Sequence, residues 1–431
     1  MRKTSYMLLV AMMAVTLMLS ACGGNGNNGN GNQTGAADGE GAASEQKVKL
    51  SLLSWNNETE MKPVIDGFTK KYPNITIDFQ TAPPVKDYIA KLQTMLLSNS
   101  ATDVFIMAAE NRNELIDGGY ALDLTDQPFM SQMTEASKGM FTRDGKTYAF
   151  SQAGWVGGIY YNKDLFAKVG VTEEPKTWQE FIDLCLKLKE AGIMPLYDNA
   201  GDISTIQGAL VASMTLSKDP EYDAKLFTGE KTFADGWSEP LKLWKEGLVD
   251  NGIIDSGMIG LTGDQIVNEF AVGNVAMIQG GPWNIPAIEK ANPELQFSMM
   301  AVPGVEPGQE YYSGAPNVGF AVNSKSKNQE AALKFVEYLS TPEGLELFEK
   351  GTGQIITVNG YESKVHPALE KAYKEGLLAG KFYLPMVSWP RHQEALRNQM
   401  VVSVQDLLVG KGSMGDVTKA LDQKLKEMES K

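Results

Sequence analysis

The chain has 431 residues, 39 of them basic and 53 acidic, for a formal net charge of −14. Its 43% hydrophobic and 21% charged content is that of a globular protein, and its length exceeds what one core usually serves, so two lobes or domains are expected. The acidic balance argues against nucleic acid, whose phosphates call for clustered Lys and Arg, and two His with two Cys argue against His-rich metal sites and disulfide scaffolds.

Arg2 and Lys3 precede an apolar run from Tyr6 to Leu19. The run falls short of the ~20 apolar residues a spanning helix needs, and with a basic start it reads as a secretory signal over residues 1–21. Its end, Leu19-Ser20-Ala21-Cys22, resembles the lipobox of bacterial lipoproteins, which implies that Cys22 becomes a lipidated N-terminus. Residues 22–46 are then a Gly/Asn-rich linker with no material for a core, and as a flexible coil they reach roughly 25 Å.

Val48 to Leu53 reads as a buried strand, and Met61, Val64, Ile65 and Phe68 mark an amphipathic helix. Ile75, Ile77 and Phe79 alternate as a strand, Ile89, Leu92, Met95 and Leu96 carry a second helix, and Asp103 to Met107 is a third strand. This β-α-β-α-β order predicts a parallel sheet with helices on both faces. A second α/β unit is expected after about Phe150. Thr177-Trp178-Gln179-Glu180 predicts a capping box opening a helix to Glu190, with Trp178, Phe181, Ile182, Cys185 and Leu188 on its inner stripe. Cys185 is therefore expected as a small buried hydrophobe and not a nucleophile. Trp237, Leu241, Trp244 and Leu248 form another core stripe, Val275 to Ile278 and Val318 to Val322 are further strands, and Thr341-Pro342 caps a late helix.

Open parallel sheets bind ligands outside the carboxyl ends of their strands. That rule selects Trp55, Asn56, Asn57 and Glu58 after the first strand and Glu110 after the third. It also selects Trp155, beyond a strand through Tyr148 and Phe150, and Trp283 and Asn284, which follow two glycines after Ile278. Trp389 sits in a late loop between Pro385 and Pro390.

Five stretches in order resemble the extracellular solute-binding proteins of carbohydrate ABC transporters, the broad group that includes maltose-binding protein. They are Leu92 to Leu97 with Asp103-Val104-Phe105; Asp144 to Tyr148 leading to Tyr160 through Phe166; Pro175 to Trp178 with Phe181; Gly280-Gly281-Pro282-Trp283-Asn284; and Ala331 to Leu339 with Thr341-Pro342-Glu343-Gly344. The resemblance implies an α/β, two-lobed periplasmic-binding-protein-like fold, each lobe a mostly parallel sheet flanked by helices, joined by a hinge the chain crosses more than once. Mapped here, the first lobe is 47–152 and 316–360, and the second is 153–315 and 361–431.

The resemblance further implies a sugar or oligosaccharide held between the lobes, hinge closure and delivery to membrane permease subunits. It implies no cofactor, no catalysis and no nucleic acid, and a monomer lipid-anchored at the outer face of the cell membrane. Sugar rings need flat aromatics for their C–H faces and carboxylates or amides for their hydroxyls. Trp283, Trp389 and Glu110 match family positions, Asp198, Asn199 and Asp202 lie in a segment that lines the family cleft, and Gly314 and Asn317 lie near a hinge crossing. Met107 stands where maltose-binding protein has an aromatic, which argues against maltose. Two alternatives remain: a binder of another solute (a peptide, a metal or phosphate), and a secreted carbohydrate-active enzyme using paired carboxylates.

Overall fold

The computed structural model describes residues 47–201 and 203–430, apart from the side chain of Asn317. The signal, Cys22, the linker and Asp202 lie outside the described residues. Among the described residues eleven strands form in chain order: β1 (Val48–Ser54), β2 (Ile75–Thr81), β3 (Val104–Met107), β4 (Thr142–Arg143), β5 (Lys146–Thr147), β6 (Phe150–Asn162), β7 (Met194–Tyr197), β8 (Val275–Gly280), β9 (Phe297–Met300), β10 (Ser313–Val322) and β11 (Ile355–Ile356). Nine of them make one sheet in the order β2-β1-β3-β10-β6-β8-β7, with β9 and β11 also paired to β6; β4 and β5 form a separate hairpin.

The expected elements of the first unit form as read. β1 lies between β2 and β3, parallel to both. The intervening helix Glu58–Lys71 starts at Asn57, whose side chain and that of Glu60 satisfy each other's backbone N–H groups, and it buries Met61, Val64 and Phe68. The helix Trp178–Glu190 keeps only half of its expected box. Thr177 accepts from the Glu180 N–H, but the Glu180 carboxylate accepts from the N–H of Lys176, one residue earlier.

β6 is the element that periodicity does not reveal. It runs 13 residues without a break, so Trp155 lies inside a strand and not beyond one. Its first half pairs with β10 and β11, its second half with β8 and β9, all antiparallel. The sheet of the second unit is consequently mixed, with only β7 and β8 parallel to each other.

Burial follows the same division. One apolar core gathers Leu52, Phe105, Phe320 and Phe335, and includes Phe150 and Ala153 from β6. A second gathers Trp178, Trp237, Trp244 and Leu421 and includes Ile159 from β6. A third, around Phe270, Ile288 and Tyr373, takes Val156 and Tyr160. A single strand thus anchors in several cores, at ~1.5–3 kcal/mol for each large apolar side chain fully buried. Cys185 is buried and free in the second core, where desolvation pushes its thiol pKa well up.

Candidate functional site

β7 and β8 run parallel and end side by side, with Tyr197 opposite Ile278. Their carboxyl ends deliver Tyr197, Asp198 and Asn199 from one chain segment and Gln279 through Asn284 from the other. β6 flanks β8 antiparallel, with Gly158 opposite Gly280. Residues of β6 before Gly158 therefore extend past the end of β8, and this puts Trp155 over the same place. The pocket there is open on one side, about 190 Å³ in volume, and lined by Trp155, Tyr197, Asp198, Asn199, Thr205, Gln279, Gly280, Trp283, Asn284 and Ser313, with Gly263, Ile266 and Val267 from one helix.

The turn that carries Trp283 is built from its neighbours. Asn284 accepts from the Gly281 N–H at 3.0 Å, and the Tyr160 hydroxyl donates to the Gly281 carbonyl at 2.9 Å. A Cβ on Gly281 would sit 2.4 Å from the Trp283 ring, so the glycine is what lets the indole fold back over the turn. Trp283 stays 60% exposed, whereas Trp155 is half-buried against an apolar cluster of Ala109, Ala315, Leu384 and Val387.

The polar side chains are oriented by backbone. Asp198, buried, accepts from the Ala200 N–H at 2.8 Å. Asn199 donates to the Leu261 carbonyl at 2.8 Å and accepts from the Gly201 N–H at 3.0 Å, so it braces its own loop and ties it to the segment before the helix Gly263–Ala271. Gln279 accepts from the Ile206 N–H at 3.2 Å, and the hydroxyls of Thr205 and Ser313 are 3.2 Å apart. A cavity with two indoles, a carboxylate, amides and hydroxyls can cover an apolar ring face and hydrogen-bond groups around its rim.

Of the residues selected from the sequence, Trp155, Asp198, Asn199, Trp283 and Asn284 converge on this pocket. Trp55, Asn56, Asn57 and Glu58 gather instead at the end of β1. There Trp55 stands edge-on to Tyr88 at 5.3 Å, Asn56 is buried, and Asn57 and Glu58 open the following helix. Glu110 follows β3 and reaches solvent within crowded surroundings; desolvation raises its carboxyl pKa, Arg112 lowers it and Glu394 raises it. Gly314 is buried in the β10–β6 ladder, and Asn317 sits at the β-bulge of β10.

Trp389 is corrected. It is fully buried, 5.7 Å from Phe233 and 6.2 Å from Trp237 between ring centroids. Pro385–Ser388 winds into a helical turn whose first carbonyl accepts from the Trp389 N–H, and this directs the indole into the core and away from solvent. Tyr197, Thr205, Gln279 and Ser313 were not selected from the sequence. Tyr197 and Gln279 obey the strand-end rule and were legible by it; Thr205 and Ser313 arrive only through tertiary folding. Among the described residues no group of three or more His, Cys, Asp and Glu could hold a metal, and no helix is long and apolar enough to cross a membrane.

A family model described as bacterial extracellular solute-binding protein matches residues 55–346. The multiple sugar-binding protein of Streptococcus mutans is 24% identical over 348 residues, 77% of this chain and 81% of that protein. A family 1 extracellular solute-binding protein from Bifidobacterium longum subsp. infantis superposes with a TM-score of 0.81 at 30% identity, covering 89% of this chain and all of that one. RafE from Streptococcus pneumoniae superposes in its apo form at 0.77, with 20% identity over 89% of this chain and 98% of its own. The raffinose complex of RafE superposes at 0.69, again at 20% identity, over 88% and 99% of the two chains.

Proposed function

We infer the function of this chain from one premise: it belongs to the bacterial extracellular solute-binding protein family. These are binding proteins and not enzymes. We propose that its solute is a sugar or oligosaccharide, captured in the pocket at the ends of β7 and β8. The observation that carries this is the pair of indoles, Trp155 and Trp283, set over Asp198, Gln279 and Asn284. Aromatic faces beside carboxylate and amide groups answer the two needs of a sugar ring, cover for its C–H face and partners for its hydroxyls. The Streptococcus mutans relative, a multiple sugar-binding protein, and the raffinose complex of RafE support the same reading.

The wider proposal has the chain as the receptor of an ABC importer. The first lobe, 47–152 and 316–360, closes on the second, 153–315 and 361–431, over the bound sugar. The closed form then delivers the sugar to permease subunits. Cys22, lipidated after removal of residues 1–21, holds the monomer at the outer face of the membrane through the Gly/Asn-rich linker.

The test is a thermal-shift screen against neutral oligosaccharides. A ligand that binds only the folded state adds about 2.7 kcal/mol of stability at a hundredfold excess over its Kd. If no oligosaccharide raises the melting temperature while a peptide or phosphate does, the solute is not a sugar.

A further inference from the structure

We propose that the segment 384–391 is a latch that works without sugar: Arg112 and Asn113 of the first lobe hold main-chain carbonyls of the second, so the free chain is already part-closed along this edge. The inference rests on the lobe division above and adds to it what holds the lobes when no ligand does.

Two cores flank the segment. The helix Arg112–Asp117 buries Leu115 in the core around Leu52 and Phe105, while Trp389 lies in the core around Trp178 and Trp237. Between them a small apolar patch joins Ala109 to Leu384 and Val387, with Met140 and Met386 packed against it and Ala315 and Trp155 beside it. Polar contacts cross at the same place. The Arg112 guanidinium donates to the Ala109 carbonyl of its own lobe at 2.9 Å and to the Val387 carbonyl of the other at 2.5 Å. The Asn113 amide donates to the Pro390 carbonyl, and its oxygen accepts from Arg143, which also binds Asp117 at 2.9 Å. Arg143 thus sets which way the Asn113 amide faces.

The acceptors are held as firmly as the donors. Pro385–Ser388 is a single helical turn, too short to use its own last carbonyls. On one side of it the Tyr383 hydroxyl lies 3.0 and 3.2 Å from the two oxygens of buried Asp223. On the other, Trp389 is fully buried and Arg391 binds Glu429 through two nitrogens, at 2.6 and 2.9 Å. The carbonyls of Val387 and Pro390 are therefore fixed points of the second lobe. Glu110 and Glu394 repel each other across the same seam, and the charge of Arg112 beside Glu110 offsets this. Arg112, Asn113, Val387 and Pro390 are not among the residues that line the pocket, so their contacts need no ligand. β3 lies next to β10 in the sheet and β1 one strand farther out, so the latch sits beside the crossing strands and leaves the β1 end, with Trp55, to swing. The sugar then has only the rest of the motion to complete, and its apparent affinity follows the fraction of chains already latched.

Small-angle scattering on the mature chain, with no sugar present, is the test. Asn113→Asp keeps the oxygen that Arg143 holds but loses the N–H that reaches Pro390, and it should enlarge the radius of gyration. Arg112→Ala should do the same, while Arg112→Lys, which can still reach one carbonyl, should recover part or all of the parent value. Far-ultraviolet circular dichroism matching the parent's distinguishes opening from unfolding, and each variant answers if the other does not fold. With raffinose as the probe, calorimetry should show binding weakened on the order of tenfold in Asn113→Asp, the loss expected of one such hydrogen bond. Equal sugar-free radii in the parent and the folded variants overturn the latch, whether or not raffinose binds. If the parent nonetheless contracts at raffinose saturation, the lobe division survives that result; if it stays constant at saturation, the lobe division falls with the latch.

Discussion

The indole of Trp283 meets that of Trp155 edge-on, with ring centroids 5.3 Å apart and planes inclined at 64°. One ring comes from inside β6 and the other from the turn after β8, so the corner they form exists only because the two strands pair antiparallel. Trp283 has little packing of its own to lose, being 60% exposed, and its free surface is available to a ligand.

Trp283→Ala should therefore weaken sugar binding while leaving the fold nearly untouched. Losing an aromatic platform costs on the order of 1–3 kcal/mol by analogy with base stacking, or roughly 5–150-fold in affinity. Trp244→Phe is the control. Trp244 is fully buried in the second core, so its replacement by the smaller Phe leaves a cavity there and should lower stability while sparing affinity. Calorimetry and thermal melts on both variants separate the two roles; affinity within twofold of the parent in Trp283→Ala would remove Trp283 from the site.

The strand ends were readable because their signals are local. The strand β1 is followed by a capped helix, and β8 stops at Gly280-Gly281, where only glycine tolerates the folded-back indole. β6 was not readable. Nearly all of its residues are buried on both faces, so no alternation marks it, and its three glycines at 154, 157 and 158 look like a loop. The unit boundary expected near Phe150 therefore falls within a continuous strand. Trp389 failed for a related reason: flanking prolines announce a turn but carry no information about which side of it an indole faces.

Gly314→Ala should disturb the fold where the pocket's wall is attached. Gly314 pairs with Val156, and a Cβ there would stand 2.6 Å from the Trp155 carbonyl, a backbone atom that cannot swing away. Overpacking of this kind costs about 1–3 kcal/mol, and any relief would move Trp155. Gly139→Ala, in the helix Glu135–Phe141 with nothing within 4 Å of its Cβ, should instead be neutral or stabilising. Denaturant unfolding of the two variants checks the contrast, and equal stabilities would mean the Gly314 contact relaxes freely.

Asp223 predicts a pH dependence of stability. Burial pushes its carboxyl pKa up to about 7, against the opposing pull of the Tyr383 hydroxyl, which lies at 3.0 and 3.2 Å from its two oxygens. With the folded pKa above the unfolded one, the folded state binds more protons between about pH 4 and 7. This group's contribution is thus most favourable at acid pH, is lost progressively as pH rises through about 7, and stays lost above it. The gap corresponds to roughly 4 kcal/mol. Asp223→Asn keeps an acceptor for Tyr383 and should raise the melting temperature at pH 8 much more than at pH 4.5. An equal effect at both pH values would show that Asp223 ionises normally in the fold.

Cys22→Ala should release the protein from the membrane or block signal processing, because the Leu19-Ser20-Ala21-Cys22 run offers one sulfur for lipid. Membrane fractionation with the variant staying in the pellet would rule out the anchor.

Sugar binding should draw the two lobes together. The pocket is built from β6, β10, the segments that follow β7 and β8, and the helix Gly263–Ala271, so a ring seated there presents its other face toward solvent. The strand ends of β1 and β3, with Trp55 and Glu110, belong to the other lobe in the proposed division and offer further aromatic and carboxylate groups. A conformation that brings them onto the ligand adds contacts that the open form lacks, and only such differential affinity can shift the population toward closure. Movement has a place to occur, since β6 and β10 run on from one set of pairings to the other through Gly154, Gly157, Gly158 and Gly314. Small-angle scattering should then give a smaller radius of gyration at saturating sugar, and the decrease should vanish in Trp283→Ala at the same sugar concentration wherever that concentration no longer saturates it. A radius that stays constant while calorimetry reports a saturated site would mean that the sugar is held by one lobe alone.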